Sequence, residues 1–390
     1  MKQSPPDFLF FLSHMTPVKR TDALWCAPMP LNREVIGDHL ENNNGISVSY
    51  GDYFSAASDF LKRNEFEILK IAVSQQANRR IEKEEIKEIQ LHLEKHGEFY
   101  HPSRIAIVLE GLKISFVLNV GISDAGQDLI KREFKILDKL NSNFSCSYLP
   151  RVYALDEAYT RNDFKIQMFL GEWFEGFNEF HLSFDKANGK NGICVWDPVQ
   201  GLFFITHDQT RQLYRQVAKI HTCYYDLETF EQIFPWHHAA GDFVLNHSNE
   251  QIELRLVTVR RYTALMEDKD RNPGAILEAL LVFLLHLSIR MRLDRLDGVG
   301  DMVWSDNVAV EETLTGFFQG LALKLPISRF SDPLEACFMG YISSWTEEEL
   351  YDLSEEIVNL YHPQSPDVPV IKENLKEHVE RLYKAINNQN

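Results

Sequence analysis

Cysteine is scarce in this sequence and unpatterned. Cys26, Cys146, Cys194, Cys223 and Cys337 are odd in number and scattered, and no two are spaced like zinc ligands. That pattern fits thiols in a reducing compartment that act as small buried hydrophobes. Nothing local singles one out as a nucleophile. Positive charge is also short: 40 Lys and Arg stand against 57 Asp and Glu, for a net charge of -17. An acidic surface repels phosphate backbones, so no nucleic-acid partner is expected. The same field opposes a free nucleotide unless a basic patch or Mg²⁺ offsets it. Long apolar runs are missing as well. Phe8 to Leu12 follows Pro5, Pro6 and Asp7 and is too short for a secretory core. Ala275 to Ile289 contains Glu278 and His286 and falls short of the roughly 20 apolar residues of a membrane span. The expectation is a cytoplasmic protein with no membrane partner. There is no G-x-S-x-G elbow, phosphate-binding G-x-x-x-x-G-K-[ST] loop, H-E-x-x-H helix or dinucleotide fingerprint.

What is present is ordinary globular composition, 44% hydrophobic and 25% charged, with length for two or three domain-sized units. Residues 1–45 read as an irregular extension ending in the polar run Glu41 to Gly45. Tyr53-Phe54, Phe60-Leu61, Phe66 and Leu69 recur at helical spacing, and Ile86, Ile89 and Leu93 predict a second helix over 80–96. The period then shortens. Ile105 to Leu109 and the alternating Leu112, Ile114, Phe116, Leu118 and Val120 predict a hairpin turning at Gly111. A helix over 127–140 and strands over 151–155 and 165–170 follow. Beyond Gly171 the pattern is mixed, then a helix over 209–220, a short hairpin over 243–259, and helices over 274–296, 312–322, 345–361 and 371–386.

One loop concentrates chemistry. Pro235-Trp236-His237-His238-Ala239-Ala240-Gly241-Asp242 places two imidazoles and a carboxylate just before a strand. Histidine and aspartate can shuttle protons or bind metal. A buried loop that hydrogen-bonds these groups to the backbone is the structural alternative. Gly171 to His181 is dense in aromatics, with Glu172, Glu179 and His181 as cation candidates. Asp294, Asp297, Asp301 and Asp306 lack the glycine and terminal glutamate of a calcium loop and read as a solvated acidic stretch.

The order of elements and the Gly241-Asp242 pair resemble the aminoglycoside and choline phosphotransferases, the small-molecule branch of the protein-kinase-like fold. The resemblance covers about residues 101–300. It implies Asp242 as the catalytic base, and it sets Ala240 and Val244 where the family's loop carries histidines. The metal-binding Asn position falls on His247, beside Asn246. The metal-binding Asp of the next strand falls near Thr258, and no acidic residue lies between Glu253 and Glu267. The phosphate-contacting Lys falls on Asn119, while its expected partner Glu133 is kept.

The implied fold is α/β (α+β), bilobal and kinase-like: a helical N-terminal extension over 1–100, a small β-rich lobe over 101–172 and a mostly helical large lobe over 173–390. The nucleotide-side residues implied by the resemblance are Asn119 and Glu133; the catalytic and metal candidates are Asp242, which the resemblance gives as the base, and His238, which the chemistry of the loop adds. ATP and Mg²⁺ are the family's cofactors; the residues alone assign none. The expected function is a pseudokinase, a binding or regulatory module with lost or weakened phosphoryl transfer and a small-molecule ligand. The alternatives are a metal-dependent hydrolase or lyase using His237, His238 and Asp242, or an active divergent small-molecule kinase.

Overall fold

A computed structural model describes residues 6–12, 16–30, 47–248, 250–266, 272–324 and 329–388. The polar run Glu41 to Gly45 and Glu267 lie outside them. The chain divides into two compact units, one of residues up to Ser142 with Pro150–Glu175, the other of Asn143–Leu149 with Gly176 onward. The fold is mixed α and β.

The first unit contains β1 (Asp7–Phe11), α1 (Ala23–Cys26), α2 (Tyr50–Ala77), β2 (Glu88–Leu93), β3 (His101–Leu109), β4 (Leu112–Gly121), α3 (Asp124–Asn143), β5 (Val152–Tyr159) and β6 (Lys165–Glu172). The six strands form one sheet in the order β1-β2-β3-β4-β6-β5. The hairpin β3–β4 turns at Gly111, whose φ of +71° favours glycine. A Ser49–Asp52 capping box starts α2, which kinks over Arg63 to Phe66. Its apolar stripe, Tyr53, Phe54, Phe60, Leu61 and Leu69, packs with Ile89, Leu91, Ile105, Ile107, Phe116, Leu118 and Leu170 in one core.

Residues 80–96 are not a helix. Lys83–Glu85 make one 3-10 turn, and Glu88–Leu93 form β2, paired with β3. Ile89, Leu91 and Leu93 share a period of two as well as part of the helical stripe. Burial of all three on the core side selects the strand. Nor is 1–45 wholly irregular, because β1 pairs in parallel with β2. Strands β1 and β2 thus join the sheet of the 101–172 region, so 1–100 is no separate helical extension.

The second unit contains β7 (Asn178–Asp185), β8 (Lys190–Asp197), β9 (Gly201–Phe204), α4 (His207–Cys223), β10 (Glu231–Ile233), β11 (Ala240–Ser248), β12 (Gln251–Leu256), β13 (Tyr262–Ala264), α5 (Pro273–Arg290), β14 (Leu293–Arg295), β15 (Met302–Trp304), α6 (Val308–Leu321), α7 (Leu334–Ile342), α8 (Glu347–Asn359) and α9 (Asp367–Asn387). Its main sheet is antiparallel, in the order β12-β11-β7-β8-β9. Three of these strands come from the stretch after Gly171, where aromatics and glycines obscured the alternation. The second unit therefore carries more sheet than a mostly helical lobe would.

Asn272 and Pro273 start α5: the Asn272 side chain accepts from the Ala275 amide at 3.0 Å, and proline needs no amide partner there. Helix α5 is apolar and long enough to cross a membrane by length and composition, yet 72% of that stretch is buried in the protein. It ends at Arg290, and Leu293–Arg295 turns into a strand instead of continuing the helix to 296.

Helices α4 and α6 approach closely through glycines. A Cβ at Gly316 would lie 2.1 Å from the Arg215 carbonyl oxygen, and one at Gly320 would lie 2.5 Å from Thr222 Cβ. Above them the buried Glu312 accepts from Arg211 at 2.6 Å and Arg215 at 2.7 Å. Gly316→Ala must push the helices apart, and overpacking of this kind costs about 1–3 kcal/mol. Urea denaturation should show that loss; an unchanged midpoint would contradict the close approach.

Candidate functional site

The loop before β11 is held at both ends. Phe234 donates its amide to the Arg261 carbonyl at 3.2 Å, and Val257 donates to the Asp242 carbonyl at 2.8 Å. Trp236 is buried and stacks on His221 of α4, with ring centroids 4.1 Å apart. Between these anchors the two histidines and Asp242 part ways.

His238 has no exposed surface. Its Nδ1 lies 3.1 Å from Asp294 Oδ2, off the line of a good hydrogen bond, and its ring edge faces Tyr214 at 5.3 Å. Asp294, on β14, is equally enclosed. It accepts from the Ala239 amide at 2.6 Å and from its neighbour Arg295 at 2.7 Å. Burial pushes the His238 pKa down, with Asp294 opposing. It pushes the Asp294 pKa up, with His238 opposing. Both groups are driven toward their neutral forms.

Asp242 is 1% exposed. Its Oδ2 accepts from the His237 amide at 2.8 Å and from Arg260 Nη1 at 2.6 Å. Its Oδ1 is buried with no hydrogen-bond partner among the described residues. His237 is held well below its usual pKa, first by burial and then by Arg290, Arg260 and Arg295. Arg290, 1% exposed, pairs with Asp367 and donates to the Trp236 carbonyl at 3.1 Å.

In this arrangement His238 lies beside Asp294, while Asp242 pairs with Arg260 and the His237 amide. Among the described residues no three His, Cys, Asp or Glu side chains are grouped to hold a metal ion. The physical reason at Asp242 is charge: a guanidinium already neutralises the carboxylate, and a second cation beside it would be repelled. Nor is Asp294 part of a solvated acidic loop. Asn246 is committed to the Gly176 carbonyl at 2.8 Å, and His247 packs on Phe203 with ring centroids 5.4 Å apart.

Sequence reasoning missed Arg260, Asp294 and Arg290. A signal existed for two of them. Arg260 closes a run of apolar residues, and Arg290 ends an apolar helix; a charge in such a place needs a partner. Asp294 offered none, because it looks like its acidic neighbours.

The other expected residues lie in the first unit. Asn119 is buried on β4 opposite Phe169 of β6. Residues directly opposite in a ladder share a face of the sheet. Phe134 of α3 meets Phe169 edge-on at 5.9 Å. Helix α3 therefore covers the face that carries Asn119, and Glu133 is fully buried on that helix. The strand of Asn119 shares its sheet with β5 and β6. Glu172 accepts from the Arg151 amide at 3.1 Å in this unit, while Glu179 and His181 sit on one face of β7 in the other. There His181 packs on Trp196, centroids 4.4 Å apart, against Gly298, where a Cβ would fall 2.3 Å from its Nδ1.

No family model matches the chain, and no curated protein matches it.

Proposed function

We propose that this chain is a degenerate small-molecule-kinase-like protein, a cytoplasmic binding or regulatory module whose phosphoryl transfer is lost or much weakened. The observation that carries this reading is the Asp242–Arg260 pair at 2.6 Å. Phosphoryl transfer rests on positioning and electrostatics: a carboxylate free to orient the attacking hydroxyl, with Mg²⁺ and a lysine to offset phosphate charge. Here Asp242 Oδ2 already accepts from Arg260 and from the His237 amide, so the carboxylate is held in place by a guanidinium. Arg260 supplies from within the protein the positive charge that Mg²⁺ would bring. The neutral Asn119, on the sheet face covered by α3, offers no charge to a phosphate. The net charge of -17 adds an unfavourable field for any nucleotide. The reading leaves a small molecule as the ligand and excludes nucleic acid and membrane.

Thermal unfolding with and without millimolar Mg-ATP tests it. A ligand present at about 100 times its dissociation constant adds about 2.7 kcal/mol to the folded state. The expected result is a melting temperature that Mg-ATP leaves unchanged, with no ATP turnover. A clear rise accompanied by turnover would overturn the reading in favour of an active, divergent phosphotransferase.

A further inference from the structure

At the β7–β8–β9 end, the main sheet of the second unit has one covered and one bare face. On the covered face Phe180, Ile193 and Val195 are buried. The register sets the other face in two rows. Glu179, Trp196 and Leu202 lie across β7, β8 and β9, and His181, Cys194 and Phe204 form the row beside them. Directly opposed residues share a face of the sheet. His181 and Cys194 are buried there, but Trp196 is 48% exposed, Leu202 70% and Phe204 38%. Val299, 58% exposed, borders this surface, because its turn is fixed to β7. Asp297 donates its amide to the Leu182 carbonyl at 2.8 Å, and Gly298 abuts the His181 ring, which packs on Trp196. Apolar side chains grouped on a surface in this way mark an interaction site more often than single ones do.

The patch runs to a sheet edge. Strand β9 is the last of its sheet, and among the described residues no strand pairs with its outer side. The Ile205 amide donates to the Ile193 carbonyl at 3.0 Å, so Phe203 and Ile205 are the residues bonded to β8. By the alternation of an antiparallel ladder, the amides and carbonyls of Leu202 and Phe204 point outward. No lysine or proline within Gly201–Phe204 blocks that edge, as native edges often have. The charge around it has one sign. Residues 178–185, 191–206 and 296–301 contain Glu179, Asp185, Asp197, Asp297 and Asp301 and no Lys or Arg. Lys186 and Lys190 lie beyond, at the turn between β7 and β8 beside Asp185.

We propose that this face docks an extended, basic segment of a partner protein, which adds a strand to β9. The backbone of the segment bonds to the outward amides and carbonyls of Leu202 and Phe204. Apolar side chains on one of its faces rest on Trp196, Leu202 and Phe204, and lysines or arginines at its ends meet the surrounding carboxylates. In such strand addition the main chain supplies affinity and the side chains supply the choice of partner. Charge makes that choice here. A second copy of this chain could present the same edge, but it would bring the same carboxylates and its own net charge of -17. Like charges brought together at an interface oppose association, whereas a basic segment is drawn in.

The test mixes the full chain with a short fluorescent peptide of alternating valine and threonine with lysines at both ends, and with the same peptide ending in glutamates. Fluorescence anisotropy reads binding, and amide hydrogen exchange reads its place. The expected result is saturable binding of the lysine peptide, protection of the Leu202 and Phe204 amides, and no binding of the glutamate peptide. Leu202→Lys, at an exposed position, should keep the fold and weaken binding about tenfold or more, by removing an apolar contact and adding a like charge. Absence of binding, binding that leaves those two amides unprotected, or equal binding of both peptides would overturn the proposal. So would sedimentation of the chain alone as a dimer that Leu202→Lys dissociates, which would give the face to a second copy. The exchange result is read on the wild-type chain and does not depend on a variant folding.

Discussion

Acidification from pH 7.5 to 5.0 is expected to remove about 6 kcal/mol of stability, comparable to the whole of many domains. Three fully buried histidines of the second unit cause it. Burial holds His221, His286 and His378 down at about 3 each, with His286 adding to the effect on His221, Arg290 on His286 and Arg292 on His378. Their surroundings suit neutral rings: His286 Nδ1 lies 3.0 Å from Gln232 Oε1, His378 Nε2 lies 3.0 Å from Ser288 Oγ, and His221 stacks on Trp236. An unfolded histidine takes up its proton near pH 6.5, whereas these would do so only near 3. Between those limits the unfolded chain binds more protons, so it gains as the pH falls. The stability is whole above about 6.5 and drains away on acidification, by about 2 kcal/mol per ring at pH 5. Asp294 works in the opposite direction, because burial raises its pKa and the folded chain takes up that proton first. It offsets part of the loss. Urea midpoints at the two pH values measure the effect, and His221→Phe should reduce the pH slope by about one proton. Equal stability at both values would show that the rings are not buried neutral.

Asp294→Ala is expected to cost about 1–3 kcal/mol, the range for leaving a buried donor without its acceptor. The change would leave the Ala239 amide without its acceptor and take away the group beside His238 Nδ1. Asp294→Asn keeps an acceptor oxygen and should cost less. Denaturant unfolding of both variants decides the matter; a loss below about 1 kcal/mol for alanine would mean the loop does not lean on Asp294. The same burial chooses between two expectations about the loop itself. If the loop served only to bind a ligand, His238→Ala and Asp242→Ala would leave the fold nearly intact; if it is structural scaffolding, both would destabilise it. With both side chains at most 1% exposed, both changes are now expected to destabilise.

Local pattern alone determined most of the elements of this protein. The hairpin at Gly111, helix α3, helix α4 and the hairpin β11–β12 follow from period, turn residues and apolar faces, all properties of neighbours in the chain. Where two periods coexist the chain alone does not choose. Ile86, Ile89, Leu91 and Leu93 serve a helix or a strand, and only the partner strand β3 and the core behind it select β2. The candidate site shows the same limit more sharply. Its loop was legible because His237, His238 and Asp242 are close in sequence. Their partners Asp294, Arg260, Arg290 and Asp367 come from elsewhere in the chain. Composition assigns such groups a charge but no neighbour. Burial decides which charges must find one another, since an unpaired charge is costly only once water is gone. That decision belongs to the tertiary structure.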